Sequence, residues 1–199
     1  MSASPRARAA ALATFLAIAL SALTPGLASG SAQLESGAAS LARASAGADS
    51  ATTSVRLKAL ERKVLRRLNA YRNKHGRKAV RMQKQLRRAA LVHAQAMGKK
   101  GFFAHESANG EVFATRIKRY YGVRGFRSWS VGENLVWASG SLNAKRAISL
   151  WDGSPGHRRN MREGGWRQIG VAAVRVRSAP GVFKGFDVTI IVTDFGTRS

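Results

Sequence analysis

From Leu57 onward the apolar positions fall into blocks with two different periods. Leu57, Leu60, Val64, Leu68 and Tyr71 recur at steps of three and four, the spacing that gathers one face of an α-helix, and Gly76 supplies a stop. A second helix is predicted from Lys84 to Lys99. Its buried stripe is Leu86, Ala89, Ala90, His93, Ala96 and Met97, and Gly98 and Gly101 mark its end. Val112, Ile117 and Tyr120 space a short helix within residues 111–121, which Gly122 closes. Val131 to Trp137 reads as a short, buried extended segment. Ser141-Leu142-Asn143 caps a further helix through Ala147, Ile148 and Trp151, and Pro155-Gly156 stops it.

The last third of the chain changes period. Ile169, Val171, Ala173, Val174 and Val176 predict a strand with Arg175 and Arg177 outward. Pro180-Gly181 makes a turn, and Val188-Thr-Ile-Ile-Val192 is a continuous β-branched run suited to a central strand. Asp194 would end that strand. Two strands joined by a short loop pair antiparallel. Helices first and strands last define an α+β domain with a small antiparallel sheet.

The region before Ser54 is different in kind. Arg6 and Arg8 precede an apolar stretch, Ala9 to Leu23, and Thr24-Pro-Gly-Leu-Ala-Ser29 then offers a turn and small residues. This is the layout of a secretory signal peptide over residues 1–28, with cleavage after Ala28 or Ala32. The alternative is an uncleaved N-terminal anchor, although the stretch is shorter than the roughly 20 residues that span a bilayer. Residues 29–53 are mostly Ala, Ser and Gly, a composition that buries too little apolar surface to offset chain entropy, so a disordered linker is expected. Residues 54–199 form the domain. The chain has no cysteine, which excludes a lipid-anchored bacterial precursor and a disulfide-stapled scaffold. The expected destination is secreted, extracellular or periplasmic.

Charge changes the picture next. The formal net charge is +24, and fourteen basic residues face one acid, Glu61, between Arg56 and Arg88. Such a surface adheres to polyanions. Anionic cell-surface polymers or lipids are the expected partners, and any nucleic-acid binding is non-specific. A solvated helix face explains the same pattern without a partner.

The candidate chemistry lies in three short stretches: Phe102-Phe-Ala-His105, Val131-Gly-Glu133-Asn134-Leu135 and Ser154-Pro-Gly-His157-Arg158-Arg159-Asn160. Two histidines, His105 and His157, are of the type that holds zinc or another divalent cation. Glu133 is the candidate catalytic base, acting on a metal-bound water or paired with His157. Against this, Glu133 in a turn and His157 at a helix start have ordinary structural roles. The spacings match no standard metal motif. His93, on an apolar stripe, reads as a core histidine. A Ser154–His157 nucleophile pair lacks a Gly-x-Ser-x-Gly elbow. A nuclease arrangement of His157 with Asn160 lacks the frame around the histidine and the more distant asparagine it needs.

Taken in order, Asn69-Ala-Tyr-Arg72, His93-Ala94 with Met97, Gly101-Phe-Phe-Ala-His105, Gly132-Glu-Asn-Leu135, Trp151-Asp-Gly-Ser-Pro-Gly-His157-Arg-Arg-Asn160, Ile169-Gly-Val-Ala172 and Thr193-Asp-Phe-Gly196 form a series. The series resembles the bacterial, cysteine-free branch of the CAP superfamily, the SCP-like domains of cysteine-rich secretory, antigen 5 and pathogenesis-related proteins. The resemblance covers residues 58–197. It implies a three-layer α-β-α sandwich and a cleft lined by two histidines and two acidic residues. His105, Glu133 and His157 take three of those places, and Asn134, Ser154, Arg158 and Asn160 would line or support the cleft. The second acid would lie three residues after Trp151, where this chain has Ser154, so a two-carboxylate hydrolytic mechanism is in doubt. Relatives include binders of lipid or sterol, toxins, antimicrobial effectors and occasional proteases. The resemblance therefore implies a cleft for a lipid, sterol or peptide ligand and leaves turnover open, with a metal-dependent hydrolase of peptide or wall polymer as the enzymatic alternative.

Overall fold

The computed structural model describes residues 54–199; the signal peptide and linker expected over residues 1–53 lie outside the described residues. The chain runs β1 (Ser54–Arg56), α1 (Lys58–Lys74), β2 (Arg81–Met82), α2 (Lys84–Lys100), α3 (Phe113–Lys118), β3 (Trp129–Ser139), α4 (Ala144–Gly153), α5 (Pro155–Arg162), β4 (Gln168–Val176) and β5 (Val188–Arg198). Strand order in the sheet is β1-β4-β5-β3, antiparallel throughout, and the short β2 joins β4 in parallel. β3 therefore has one paired edge and one free edge.

The sheet is covered on both faces. On one face Ala90, Ala94 and Met97 of α2 pack on Leu135, Ala172, Val174, Ile190 and Val192. On the other, Val64 and Leu68 of α1 and Ala147, Ile148 and Trp151 of α4 pack on Ile169, Val171, Ala173, Ile191 and Phe195. Alternate strand residues thus serve opposite helical layers. This is the three-layer α-β-α sandwich, with both central strands buried on each side. At Gly170 the α2 layer touches the sheet: a Cβ there would stand 2.1 Å from the Leu86 carbonyl carbon and 2.2 Å from the Arg87 nitrogen.

Several boundaries differ from the sequence pattern. β3 has eleven residues rather than the seven from Val131 to Trp137, because its full length pairs with β5. Asp194 does not end β5 but sits inside it, since pairing with β3 and β4 continues past it. β1 and β2 are too short to show a period. On α2 Ala94 is fully buried together with Ala89 and Ala90, whereas Ala96 is half-buried. Pro155 ends one helix and opens the next, because a proline at the first helical position needs no N–H partner. The basic run is not uniformly solvated either. Arg56 pairs with Glu61 at 2.5 Å. Arg72 is fully buried, and its Nη1 donates to the carbonyls of Met161 at 2.7 Å and Glu163 at 3.0 Å, tying α1 to the end of α5.

Candidate functional site

The site straddles the free edge of β3. Alternation along the strand sends Val131, Glu133 and Leu135 toward the α2 layer, and Gly132 and Asn134 toward α5. Gly132 is where α5 closes in. A Cβ on it would lie 2.5 Å from Asn160 Oδ1 and 2.9 Å from the Trp166 ring. The Asn134 side chain donates to the His157 carbonyl at 3.2 Å and accepts from Asn160 Nδ2 at 2.9 Å. Trp166 Nε1 donates in turn to Asn160 Oδ1 at 3.1 Å. These bonds fix the helix that carries His157.

His105 comes from the other layer, in the loop after α2. Its Nδ1 meets Glu133 Oε1 at 2.8 Å. The second oxygen of Glu133 accepts from Arg116 Nη2 of α3, whose Nη1 donates to the His105 carbonyl at 2.8 Å. The His105 and His157 rings stand 6.3 Å apart, centroid to centroid. Between and beside them opens a cleft of about 380 Å³ with Phe113, Val131 and Trp166 as its apolar walls and Arg159, Asn160 and Glu163 at its polar side.

Beneath the cleft lies a pair of carboxyl groups. Glu133 and Asp194 are direct cross-strand partners, so their side chains share a face, and both are buried. Burial alone would raise the pKa of Glu133. The His105 hydrogen bond and the charge of Arg116 outweigh it and hold that carboxyl at about 2. Asp194 goes the other way: burial, reinforced by the Glu133 charge, raises it well above the ordinary carboxylate value. As an ionised group neither of its oxygens finds a donor. Protonated, it donates to Glu133. The pair thus carries one negative charge, and Arg116 balances it.

Burial lowers the pKa of His157 to about 4, with the nearby His105 adding to the effect. His93 is likewise lowered to about 4, by burial first; its Nε2 bonds the Ala104 carbonyl at 2.9 Å and steadies the loop that presents His105. A pH dependence follows. Above pH 6.5 His93 is neutral in both states and has no effect. As pH falls from 6.5 toward 4 the unfolded chain takes up a proton that the folded chain refuses, so stability falls through that window. Urea unfolding of a His93→Gln variant should show a shallower loss across it than the unaltered chain; an identical slope would contradict the neutral buried ring.

Of the residues singled out from the sequence, His105, Glu133, Asn134, His157 and Asn160 line the cleft. Ser154 and Arg158 do not. Ser154 is buried at the α4–α5 junction, where its carbonyl accepts from the Arg158 backbone at 2.8 Å. Arg158 turns outward to Asp152, donating to its carbonyl at 2.6 Å. Arg116, Phe113 and Trp166 went unnoticed, and Asp194 was read only as a strand end. Arg116 lies three residues after Phe113 and beside Ile117, on the buried side of α3, and that position was the available signal.

A sandwich of this topology, with histidines from two layers meeting over a buried Glu at a sheet edge, defines an SCP-like domain. The chain belongs to the CAP family, the cysteine-rich secretory protein family, whose model matches residues 65–192. It is 31% identical over 138 residues to the uncharacterized protein YkwD of Bacillus subtilis. That match takes in 68% of this chain and 51% of the relative, so the chain spans about half the length of the curated relative it matches. Among solved structures it is similar to an outer surface protein of Borrelia burgdorferi, with a TM-score of 0.57 at 20% identity, covering 74% of this chain and 99% of that one. An extracellular SCP-domain protein of Bacillus anthracis has a TM-score of 0.53 at 22% identity over 69% of this chain and 40% of that chain. These two establish the shared fold.

Proposed function

We propose that this is an exported CAP-domain protein that binds a small ligand or a short stretch of polymer in the cleft along β3, and that its basic surface holds it against an anionic envelope. The observation that carries the reading is the approach of His105 and His157 from opposite layers, 6.3 Å apart, over an apolar-walled cleft. Export is supported by the expected signal peptide and by the outer-surface and extracellular descriptions of the similar solved structures. Phe113, Val131 and Trp166 offer apolar contact to a lipid, sterol or peptide group, while the asparagines are already spent on one another.

The residues also fit a divalent cation, in a limited way. Glu133 occupies Nδ1 of His105 and so orients the ring with Nε2 free, the arrangement that usually backs a metal-bound imidazole. Among the described residues no group of three or more His, Cys, Asp or Glu side chains is placed to hold an ion. Two imidazoles therefore suit an exchangeable site completed by solvent or ligand, not a closed structural one. Zinc there would supply a Lewis-acid centre for a donor atom of the ligand. Calorimetric titration of zinc should show binding weakened about tenfold or more in a His105→Ala/His157→Ala variant. Equal affinity in both proteins would sink the site.

Binding is better supported than turnover. Glu133, held at about 2 and engaged on both oxygens, is a poor base for water near neutral pH. Ser154 offers no second carboxylate, and Asp194 lies beneath the cleft, outside its lining.

A further inference from the structure

We propose that the groove where β2 meets β4 is a second binding site, built for phosphate groups, and that it is the point at which the basic surface grips a phosphodiester-linked polymer; the polymer part rests on the envelope attachment proposed above. The groove has a volume of about 530 Å³ and is lined by Lys78, Ala79, Arg81, Met82, Arg167 and Gln168. It shares no lining residue with the histidine cleft. Three lining side chains are cationic and none is acidic. Among the described residues none of the three forms an ion pair with a carboxylate.

One of the three cations, Arg167, is held by its own side-chain bonds, and backbone contacts position the other two residues. Arg167 Nη1 donates to the carbonyls of Gly164 at 2.8 Å and Trp166 at 3.0 Å, which fixes the guanidinium while leaving its other N–H groups for a ligand. The Arg81 backbone donates to the Arg167 carbonyl at 3.1 Å, so strand pairing sets the distance between these two residues. The Lys78 carbonyl accepts from Arg72 Nε at 3.0 Å, which places a buried guanidinium behind the groove. Arg72 has a lowered pKa, from burial first and then from the charges of Arg77 and Arg167, and its Nη2 has no partner. Glu163 is the one carboxylate that acts on Arg72 here, and the charges of Arg77 and Arg167 oppose it, so positive charge predominates at this end of the sheet.

Mutually repelling, partly immobilised cations around an open groove are relieved by an anion. A phosphate group suits them because its several acceptor oxygens match planar guanidinium forks as well as an ammonium. A groove open to solvent passes a chain of such groups, whereas free phosphate gains only one contact set.

The test uses the chain without its signal peptide, calorimetry at fixed ionic strength, and two probes, a glycerol phosphate oligomer and inorganic phosphate. Lys78→Gln/Arg81→Gln/Arg167→Gln is compared with a charge-matched control on the solvent face of α1, Arg62→Gln/Arg66→Gln/Arg67→Gln. The groove variant should lose about tenfold or more in oligomer affinity and the control about twofold or less. Lys78→Gln/Arg81→Gln, which leaves the Arg167 bonds intact, should lose a few-fold and guards against misfolding. Equal losses in both triple variants would overturn the groove and leave attachment by diffuse charge standing. No oligomer binding to the unaltered protein would overturn groove and attachment together. Inorganic phosphate binding as tightly as the oligomer would overturn the polymer as occupant.

Discussion

Replacing Arg116 by alanine should lower the free energy of unfolding by about 3–5 kcal/mol near neutral pH, one of the largest losses any single side chain here can cause. The reason lies in the charge balance under the cleft. Glu133 and Asp194 share one negative charge in a buried place, and Arg116 is the cation in direct contact with it. The same guanidinium ties the His105 loop through its carbonyl. Alanine leaves the charge uncompensated and the loop untied. Chemical denaturation measures the loss, and a second substitution separates the causes. Adding Glu133→Gln to Arg116→Ala removes the stranded charge and should restore a large part of the lost stability, although Glu133→Gln alone is destabilising. Simple additivity of the two losses would show that Arg116 acts as a packing residue only.

Gly170→Ala should be comparably damaging, at about 3 kcal/mol or more, for a purely steric reason. The new methyl would meet the backbone of α2 at Leu86 and Arg87, and backbone cannot step aside as a side-chain tip can. α2 would have to lift from β4, loosening Ala90, Ala94 and Met97 from the sheet. Glycine at this point also clears room beside Asp194, its cross-strand neighbour on the same face. The midpoint and slope of urea unfolding check this. An alanine variant as stable as the parent would mean that the helix can shift without cost.

Much of this architecture was legible in the sequence, and the limits of that legibility have physical causes. α1 and α2 were visible because each buries a long stripe, and α4 because Asn143 caps it, accepting from the Arg146 nitrogen at 2.9 Å. β4 and β5 announced themselves through buried β-branched runs. β1 and β2 could not, because two or three residues carry no period. Arg72 and Arg116 were hidden by their type: a lone arginine in a strongly basic chain looks like surface until its partners are seen. Asp194 was hidden because its meaning is its register opposite Glu133, and no local pattern encodes cross-strand register. His105, Glu133 and His157 were found through the order of motifs around them. Ser154 was drawn in because it stands three residues after Trp151, at the second acidic place the resemblance implies, and Arg158 because it adjoins His157. Ser154 is buried at the junction before Pro155, and Arg158, on the same helix as His157, turns back to the Asp152 carbonyl, so neither lines the cleft.

The two facing imidazoles have one more consequence. They belong to different floors of the sandwich, one hung from the loop above the sheet and one from the helix below, and they meet where β3 has no neighbour. Any ligand that touches both rings acts as a clasp across that open side. Its binding energy adds directly to the folding free energy of the whole domain, in proportion to the logarithm of its concentration. A domain that has no cysteine with which to staple its layers can therefore be tightened by whatever it binds across that open side.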